Sequence, residues 1–96
     1  MEALTAADPQ AIGEFRLRAR LGAGGMGQVF LATSLAGRMV AVKVIHPELG
    51  RDQEFIRRFR GEVNAAARVS GIYTAPVVAA GVDDIPPWLA TAFVPE

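Results

Sequence analysis

The sequence contains no cysteine and a single histidine, His46. The absence of cysteine excludes disulfide bonds and thiolate chemistry, and it fits a reducing compartment. One imidazole is too little for a histidine-based zinc cluster, and it leaves little material for a serine–histidine relay. His46 stands directly before Pro47, and we interpret it as a loop residue and not as a ligand.

The chain also lacks an excess of charge and a long apolar run. Ten basic and ten acidic residues give a formal net charge of +0, so bulk charge attracts neither nucleic acid nor an anionic membrane. No apolar run approaches the roughly 20 residues of a membrane span. Residues 1–10 are small and acidic, unlike a signal peptide. We therefore expect a cytoplasmic chain, with no nucleic-acid partner and no membrane contact from this segment.

The size and the hydropathy together indicate one small domain. The chain has 96 residues, of which 51% are hydrophobic, and its mean hydropathy is +0.26. A fold of this length buries roughly 60–70% of its extended surface, which is sufficient for one modest core. The apolar excess suggests that some surface is covered by chain that is not present here.

The first half of the chain reads as three strands. Residues 1–12 lack periodicity and are predicted to form a flexible lead-in to a domain over residues 13–96. Residues 15–21 alternate between apolar side chains and arginines, which is typical of a strand with one buried face. After a glycine cluster, residues 28–33 and 39–45 are apolar or β-branched and predict two further strands.

The second half of the chain reads as a helix followed by two strands. Asp52 is a credible N-cap for a helix to about residue 69, with an apolar stripe of Phe55, Phe59, Val63 and Ala66. The segments 76–82 and 88–94 predict the last two strands, joined by a turn. The order predicts an α+β fold, a five-stranded antiparallel sheet with one long helix.

The glycine cluster Gly-Ala-Gly-Gly-Met-Gly, residues 22–27, fits the pattern G-x-G-x-x-G, which two unrelated nucleotide-binding designs use. In a dinucleotide fold the third glycine opens a helix, but residues 28–31 are strand-like. The Gly-Lys-Ser/Thr ending of a P-loop is also missing. A glycine-rich hairpin remains, whose bare backbone can close over phosphates. A plain flexible turn is the alternative interpretation.

Lys43 and Glu62 are candidates for an ion pair. Lys43 lies in an apolar strand on the same face as Ala41. A buried ammonium needs an anion, although a lysine at a sheet edge can also extend into water. Glu62 follows Phe59 by three residues and is predicted to share the inward stripe; a solvated glutamate at its margin is the alternative. Gly61 costs about 1 kcal/mol relative to alanine in a helix, and we expect it to let the helix swing between paired and unpaired states.

These features in this order resemble the small lobe of a protein kinase, with its glycine loop, third-strand lysine and helix glutamate. The Gly-Gly-Met-Gly loop and the Arg-Phe-Arg-Gly-Glu stretch at residues 58–62 are similar to bacterial serine/threonine kinases of the eukaryotic-like, or Hanks, type. The resemblance covers residues 15–94 and ends at the hinge between the two lobes of that family.

The resemblance implies an ATP site formed by Leu21, Gly22, Ala23, Gly24, Gly25, Met26, Gly27, Val29, Ala41, Lys43, Thr91, Ala92 and Val94. The loop backbone would cover the phosphates. Lys43 would hold the α- and β-phosphates and be oriented by Glu62, and these two are the implied catalytic residues. Leu21, Val29 and Ala41 would form the upper wall of the adenine pocket. Thr91 falls at the gatekeeper position.

The hinge residues implied by the resemblance act through their backbone. Ala92 and Val94 would offer C=O and N–H groups to the adenine edge. The family often has an acidic residue at the position of Ala92, and backbone recognition makes this departure tolerable.

The same resemblance places the remaining chemistry in the absent large lobe. The catalytic aspartate and the Mg²⁺ ligands are expected there, because this chain contains no HRD-like or DFG-like stretch. Transfer of the γ-phosphate to serine or threonine of protein substrates would then need the complete kinase. The isolated lobe is expected to bind ATP weakly and to self-associate or use a partner. The alternatives are a non-catalytic interaction or dimerisation module, against which Lys43 and Glu62 argue, and a small-molecule phosphotransferase.

Overall fold

The computed structural model describes residues 1–68 and 76–93. Within these ranges the strands are β1 (Glu2–Ala3), β2 (Ala11–Ile12), β3 (Phe15–Ala23), β4 (Gly27–Thr33), β5 (Met39–Ile45), β6 (Val77–Gly81) and β7 (Trp88–Ala92). The helices are α1 (Pro47–Gly50) and α2 (Gln53–Arg68), both between β5 and β6.

The strands form one antiparallel sheet in the order β1-β3-β4-β5-β7-β6, and β2 pairs with β3 beside this path. Hairpin connections join β3 to β4, β4 to β5 and β6 to β7, which is the usual arrangement for antiparallel neighbours. The predicted α+β fold with an antiparallel sheet and one long helix is confirmed. All five predicted strands are present, and two short strands precede them.

The amino-terminal segment, whose flexibility stays a prediction, contains two strands that the sequence did not predict. Residues 1–12 include β1 and β2, and Glu2 lies opposite Arg20. A strand of two residues has no periodicity to detect, and its pairing partner is distant in the sequence. The boundary between residues 12 and 13 stays a prediction.

A small polar network holds this segment to β3. The Nε atom of Arg20 lies 3.1 Å from a carboxylate oxygen of Asp8. The Thr5 backbone N–H donates to the same carboxylate over 2.8 Å. That hydrogen bond lowers the pKa of Asp8 from its ordinary value of 3.8; desolvation opposes the shift, and the Thr5 hydroxyl and Arg20 add to it. The segment is thus attached to the sheet by charge as well as by strand pairing.

One face of the sheet carries most of the buried apolar side chains. These residues, here named the sheet core, are Ile12, Phe15, Leu17, Phe30, Ala32, Val40, Val42, Trp88 and Ala90. The period of two along β5 places Val40 and Val42 on this face. Phe15 and Trp88 meet edge to face with ring centroids 5.8 Å apart. The sheet core therefore fixes the strands from which the candidate site is built.

A smaller group of buried residues joins α2 to the other face. This helix cluster consists of Ile45, Phe59 and Val63, and half-buried side chains pack around it: Met26, Leu49, Phe55, Val82 and Leu89. Val63 is buried as predicted, but Ala66 is exposed, so its prediction on the apolar stripe is wrong. The buried stripe ends at Val63 in the described part of the chain.

The beginning of α2 follows the sequence prediction. The Asp52 carboxylate accepts hydrogen bonds from the N–H groups of Glu54 and Phe55 at 3.0 and 3.2 Å. These bonds satisfy two of the helix N–H groups that have no partner within the helix. The short helix α1 is not predicted, because four residues contain too few turns to show a period. Neither helix among the described residues combines the length and apolar character needed to cross a bilayer.

Candidate functional site

The glycine loop connects β3 to β4 and lies over a cavity of about 480 Å³. Nine of the predicted site residues line this cavity: Leu21, Gly22, Ala23, Gly24, Gly25, Met26, Gly27, Val29 and Lys43. The cavity is thus lined by four glycines and four apolar side chains from the loop and its flanking strands, and by the ammonium group of Lys43 from β5.

Strand register places Lys43 beneath the loop. Val29 in β4 lies opposite Lys43 in β5, and Leu31 lies opposite Ala41. Directly opposed residues in an antiparallel pair have side chains on the same face and close together. Lys43 is half-buried, so its ammonium group is held at the cavity by a strand whose alternate residues belong to the sheet core.

The glycines of the loop differ in what the fold requires of them. A Cβ atom at Gly27 would overlap the backbone carbonyl oxygen of Val44, so this glycine allows β4 to approach β5 closely. At Gly22, Gly24 and Gly25 an added Cβ would meet no heavy atom within 4 Å. None of these three has a positive φ; the described glycines that do are Gly13 and Gly37. The described fold gives no steric or conformational reason for glycine at these three positions.

The loop tip, residues 24–27, is held by hydrogen bonds within itself and to His46. The Gly24 N–H donates to the Gly27 carbonyl over 2.9 Å, and the His46 N–H donates to the Met26 carbonyl over 2.9 Å. The Nε2 atom of His46 lies 3.2 Å from the Gly24 carbonyl oxygen. Sequence reasoning missed this role of His46. The register of the β4–β5 hairpin could have indicated this role, because one further step past the Gly27–Ile45 pair places Met26 opposite His46.

Met26 connects the glycine loop to α2. Its side chain packs against the helix cluster. It also lines a small cavity of about 150 Å³ together with Phe55, Arg58, Phe59 and Glu62. Met26 thus borders both this cavity and the large one, and it is a point of contact between the loop and α2.

Lys43 and Glu62 do not form an ion pair in the described residues, whose two ion pairs are Arg20–Asp8 and Arg60–Asp83. Glu62 is exposed, so the prediction that it shares the inward stripe is wrong. The stripe is centred on Phe59 and Val63, and Glu62 flanks it beside Met26. Its role as the partner of Lys43 stays a prediction.

Three further predicted site residues, Ala41, Thr91 and Ala92, lie on β5 and β7 and do not line this cavity. Ala41 is opposite Thr91, and Val40 is opposite Ala92, so β7 continues the sheet on the far side of β5. The Ala92 N–H donates to the Pro76 carbonyl over 3.0 Å. Val94 lies outside the described residues. In the part of the chain that the structure describes, no cluster of three or more acidic or histidine side chains could hold a metal ion.

Comparisons with known proteins agree with this architecture. No family model matches the chain. It is 56% identical over 95 residues to a protein of Thermomonospora curvata named probable serine/threonine-protein kinase PkwA, covering 99% of this chain and 13% of the relative. It is 56% identical over 95 residues to the serine/threonine-protein kinase AfsK of Streptomyces griseus, covering 99% of this chain and 12% of the relative.

Among solved structures, the PknI kinase domain of Mycobacterium tuberculosis superposes with a TM-score of 0.73 at 31% identity, covering 96% of this chain and 37% of that domain. The sheet order, the single long helix and the loop above the cavity are those of a protein kinase small lobe. The chain belongs to the bacterial serine/threonine protein kinases of eukaryotic-like type. It spans 12–13% of the length of the curated relatives named above.

Proposed function

We propose that this chain is the ATP-binding lobe of a kinase that transfers the γ-phosphate of ATP to serine or threonine of protein substrates. The large lobe would supply the catalytic aspartate and the Mg²⁺ ligands. The observation that carries the proposal is a group of three glycines, Gly22, Gly24 and Gly25. The described fold would accommodate a side chain at each of them, so the fold itself does not explain why glycine is present.

The chemistry of the cavity fits a nucleotide with phosphates. Bare backbone allows a ligand to approach the loop closely and to use its N–H groups. Lys43 adds a positive charge on the same space, and Leu21 and Val29 add apolar surface for a base. Phosphate binding commonly combines a glycine-rich backbone with one ammonium group. ATP presents both an apolar base and an anionic chain, which matches this lining.

The proposed role of Glu62 requires a movement of α2. A carboxylate next to Lys43 would orient the ammonium group towards the phosphates, as in the family signature. In the structure Glu62 is exposed and Met26 lies beside it. We therefore propose that nucleotide or the large lobe draws α2 inwards, and that Met26 shifts as Glu62 approaches Lys43.

The single lysine of the sequence provides a sharp test. Lys43 and the amino terminus are the only amines, so an amine-acylating reagent followed by peptide mass analysis reports on both at once. A magnesium complex of a non-hydrolysable ATP analogue should slow acylation of Lys43 and leave the amino terminus unaffected. Equal acylation of Lys43 with and without saturating nucleotide would contradict the proposal.

Two variants sharpen this test. Lys43→Met should weaken nucleotide binding, measured by titration of the glycine amide resonances, because the phosphates lose their cation. Lys43→Arg keeps the charge and serves as the matched control, so it should retain part of the affinity. Equal binding by Lys43→Met and the unmodified protein would show that the cavity is not the phosphate site.

Self-association of the isolated lobe and a cytoplasmic location are further proposals. Large exposed side chains such as Leu35, Val78 and Ile85 support the first, and sedimentation across a concentration series tests it. Use of ATP and the lack of cysteine support the second. Fractionation of the source cell, followed by detection of this segment, tests the location.

A further inference from the structure

His46 contacts both sides of the loop tip. Its backbone N–H donates to the Met26 carbonyl, and its Nε2 atom lies 3.2 Å from the Gly24 carbonyl oxygen. Because a carbonyl oxygen can only accept, Nε2 carries the hydrogen in this contact. One residue therefore holds two carbonyl groups of the tip, one through its main chain and one through its side chain.

The backbone of His46 is itself fixed. Its carbonyl accepts hydrogen bonds from the N–H groups of Leu49 and Gly50 at 3.0 and 3.1 Å. Its φ of −57° and ψ of 139° are the extended values that a following proline favours. The preceding Ile45 N–H donates to the Pro87 carbonyl over 2.9 Å. The imidazole consequently extends from an anchored position towards the loop.

The contact determines which way one loop peptide faces. His46 lines a second cavity of about 420 Å³, on the sheet face of Gln28 and Phe30. Val29, between these two, lines the large cavity on the opposite face. In a trans peptide the C=O and the following N–H point in opposite directions. When Gly24 C=O is drawn towards His46, the Gly25 N–H turns towards the side of the large cavity.

We propose that His46 is a positioning residue of the nucleotide site: its imidazole holds the Gly24 carbonyl, so that the Gly25 N–H faces the nucleotide phosphates. The inference rests on the proposed function, since it names a residue that prepares the same site. His46 does not touch the phosphates, and its effect is transmitted through the Gly24–Gly25 peptide group.

The experiment uses the ¹⁵N-labelled protein and three variants. His46→Ala removes the donor. His46→Gln keeps an N–H donor at a similar reach. Glu48→Gln changes a neighbouring exposed residue and is the matched control. Titration with the magnesium complex of a non-hydrolysable ATP analogue gives the affinity, and relaxation measurements without nucleotide give the order parameter of the Gly25 amide. Because His46 is the only histidine, its imidazole signals are assigned without ambiguity.

The unmodified protein should carry the imidazole hydrogen on Nε2 and show a rigid Gly25 amide, with an order parameter of about 0.85. In His46→Ala the order parameter should fall towards about 0.6, and the affinity should weaken roughly threefold to tenfold, as expected for loss of one hydrogen bond. His46→Gln should recover most of both quantities, and Glu48→Gln should change neither.

Two results would overturn the inference while leaving the proposed function intact. One is unchanged affinity in His46→Ala when the unmodified protein binds nucleotide. The other is a His46→Gln variant as impaired as His46→Ala, because packing and not the hydrogen bond would then be responsible. No binding by the unmodified protein would instead overturn the nucleotide proposal, and the positioning role with it, whatever the order parameter shows.

Discussion

The two faces of the sheet differ in how much buried apolar packing lies against them. The sheet core contains nine buried residues from five strands, and Ala32, Val42 and Ala90 are completely inaccessible. The helix cluster has three buried residues and depends on half-buried neighbours, one of which is Met26 of the glycine loop. The strand that carries Lys43 is therefore firmly supported, whereas α2, which carries Glu62, is attached by fewer buried residues and is easier to displace.

The largest loss of stability is expected when a buried phenylalanine is replaced by alanine, and this change can be made on either face of the sheet. Phe30 is 1% exposed in the sheet core, and Phe30→Ala should lower the free energy of unfolding by about 3–5 kcal/mol. Phe59 borders an existing small cavity under α2, so Phe59→Ala should cost about 1–2 kcal/mol less, because its surroundings can relax further. Urea unfolding followed by circular dichroism measures both.

Phe30→Leu and Phe59→Leu form a milder pair in case Phe30→Ala does not fold. The order of the two losses should be the same. Equal losses at Phe30 and Phe59 would mean that α2 is as firmly integrated as the strands, and the contrast between the two faces would not hold.

The next largest effect is expected at Gly27, where the glycine loop joins β4. A Cβ in Gly27→Ala overlaps the Val44 carbonyl oxygen, and backbone at the centre of a sheet cannot move aside cheaply. The variant should lose about 1–3 kcal/mol of stability. Gly24→Ala is the matched control, because open space surrounds its Cβ, and it should stay within about 0.5 kcal/mol. Thermal unfolding without nucleotide distinguishes them, and similar losses would contradict the assignment of Gly27 to the fold.

A smaller change of opposite sign is expected in α2. Gly61 is exposed, and an added Cβ meets nothing within 4 Å. Gly61→Ala should therefore stabilise the protein by about 1 kcal/mol through helix propensity alone. Hydrogen exchange of the α2 amides should become slower, whereas that of β4 should change less. Unchanged exchange in α2 would exclude Gly61 as a source of helix mobility.

The sequence predicted the parts of the fold that repeat locally. The alternation around Phe15 and Leu17 and the spacing of Phe55 and Phe59 are regular, and the Asp52 cap has its own signature. The strand β1 and the helix α1 were missed because two or four residues contain no period. The strand β1 exists through its pairing with β3, where Arg20 lies opposite Glu2 although it is distant in the sequence.

The sequence predicted which residues line the candidate cavity better than it predicted the contacts that these residues make. The glycine motif and Lys43 were predicted to share one site, and the nine residues that line the cavity are all among the predicted site residues. Helical spacing alone could not place Glu62, since a residue beside the stripe becomes buried only if the neighbouring element covers it. The hairpin register places Met26 opposite His46, but the packing of the Met26 side chain on the helix cluster and the contact of the His46 imidazole with Gly24 arise from tertiary packing, which no local pattern encodes.

The smallest effects are expected at the two ion pairs, one on each side of the comparison. Arg60 and Asp83 join α2 to the turn before β7, but their side chains are 49% and 78% exposed, so Asp83→Asn should cost only about 0–1 kcal/mol. Asp8 joins the amino-terminal segment to β3, and its lowered pKa means that its charged form stabilises the folded state.

The contribution of Asp8 has a defined pH window. For a carboxylate whose pKa is lower in the folded state, the stabilisation is present above the unfolded pKa and is lost as the pH falls through the folded pKa. Asp8→Asn should therefore lower the thermal midpoint near neutral pH. The difference from the unmodified protein should shrink as the pH falls below about 3.8, the ordinary value. A difference that is the same in strong acid and at neutral pH would show that the amide disturbs the Thr5 turn and that charge is not what holds this segment to the sheet.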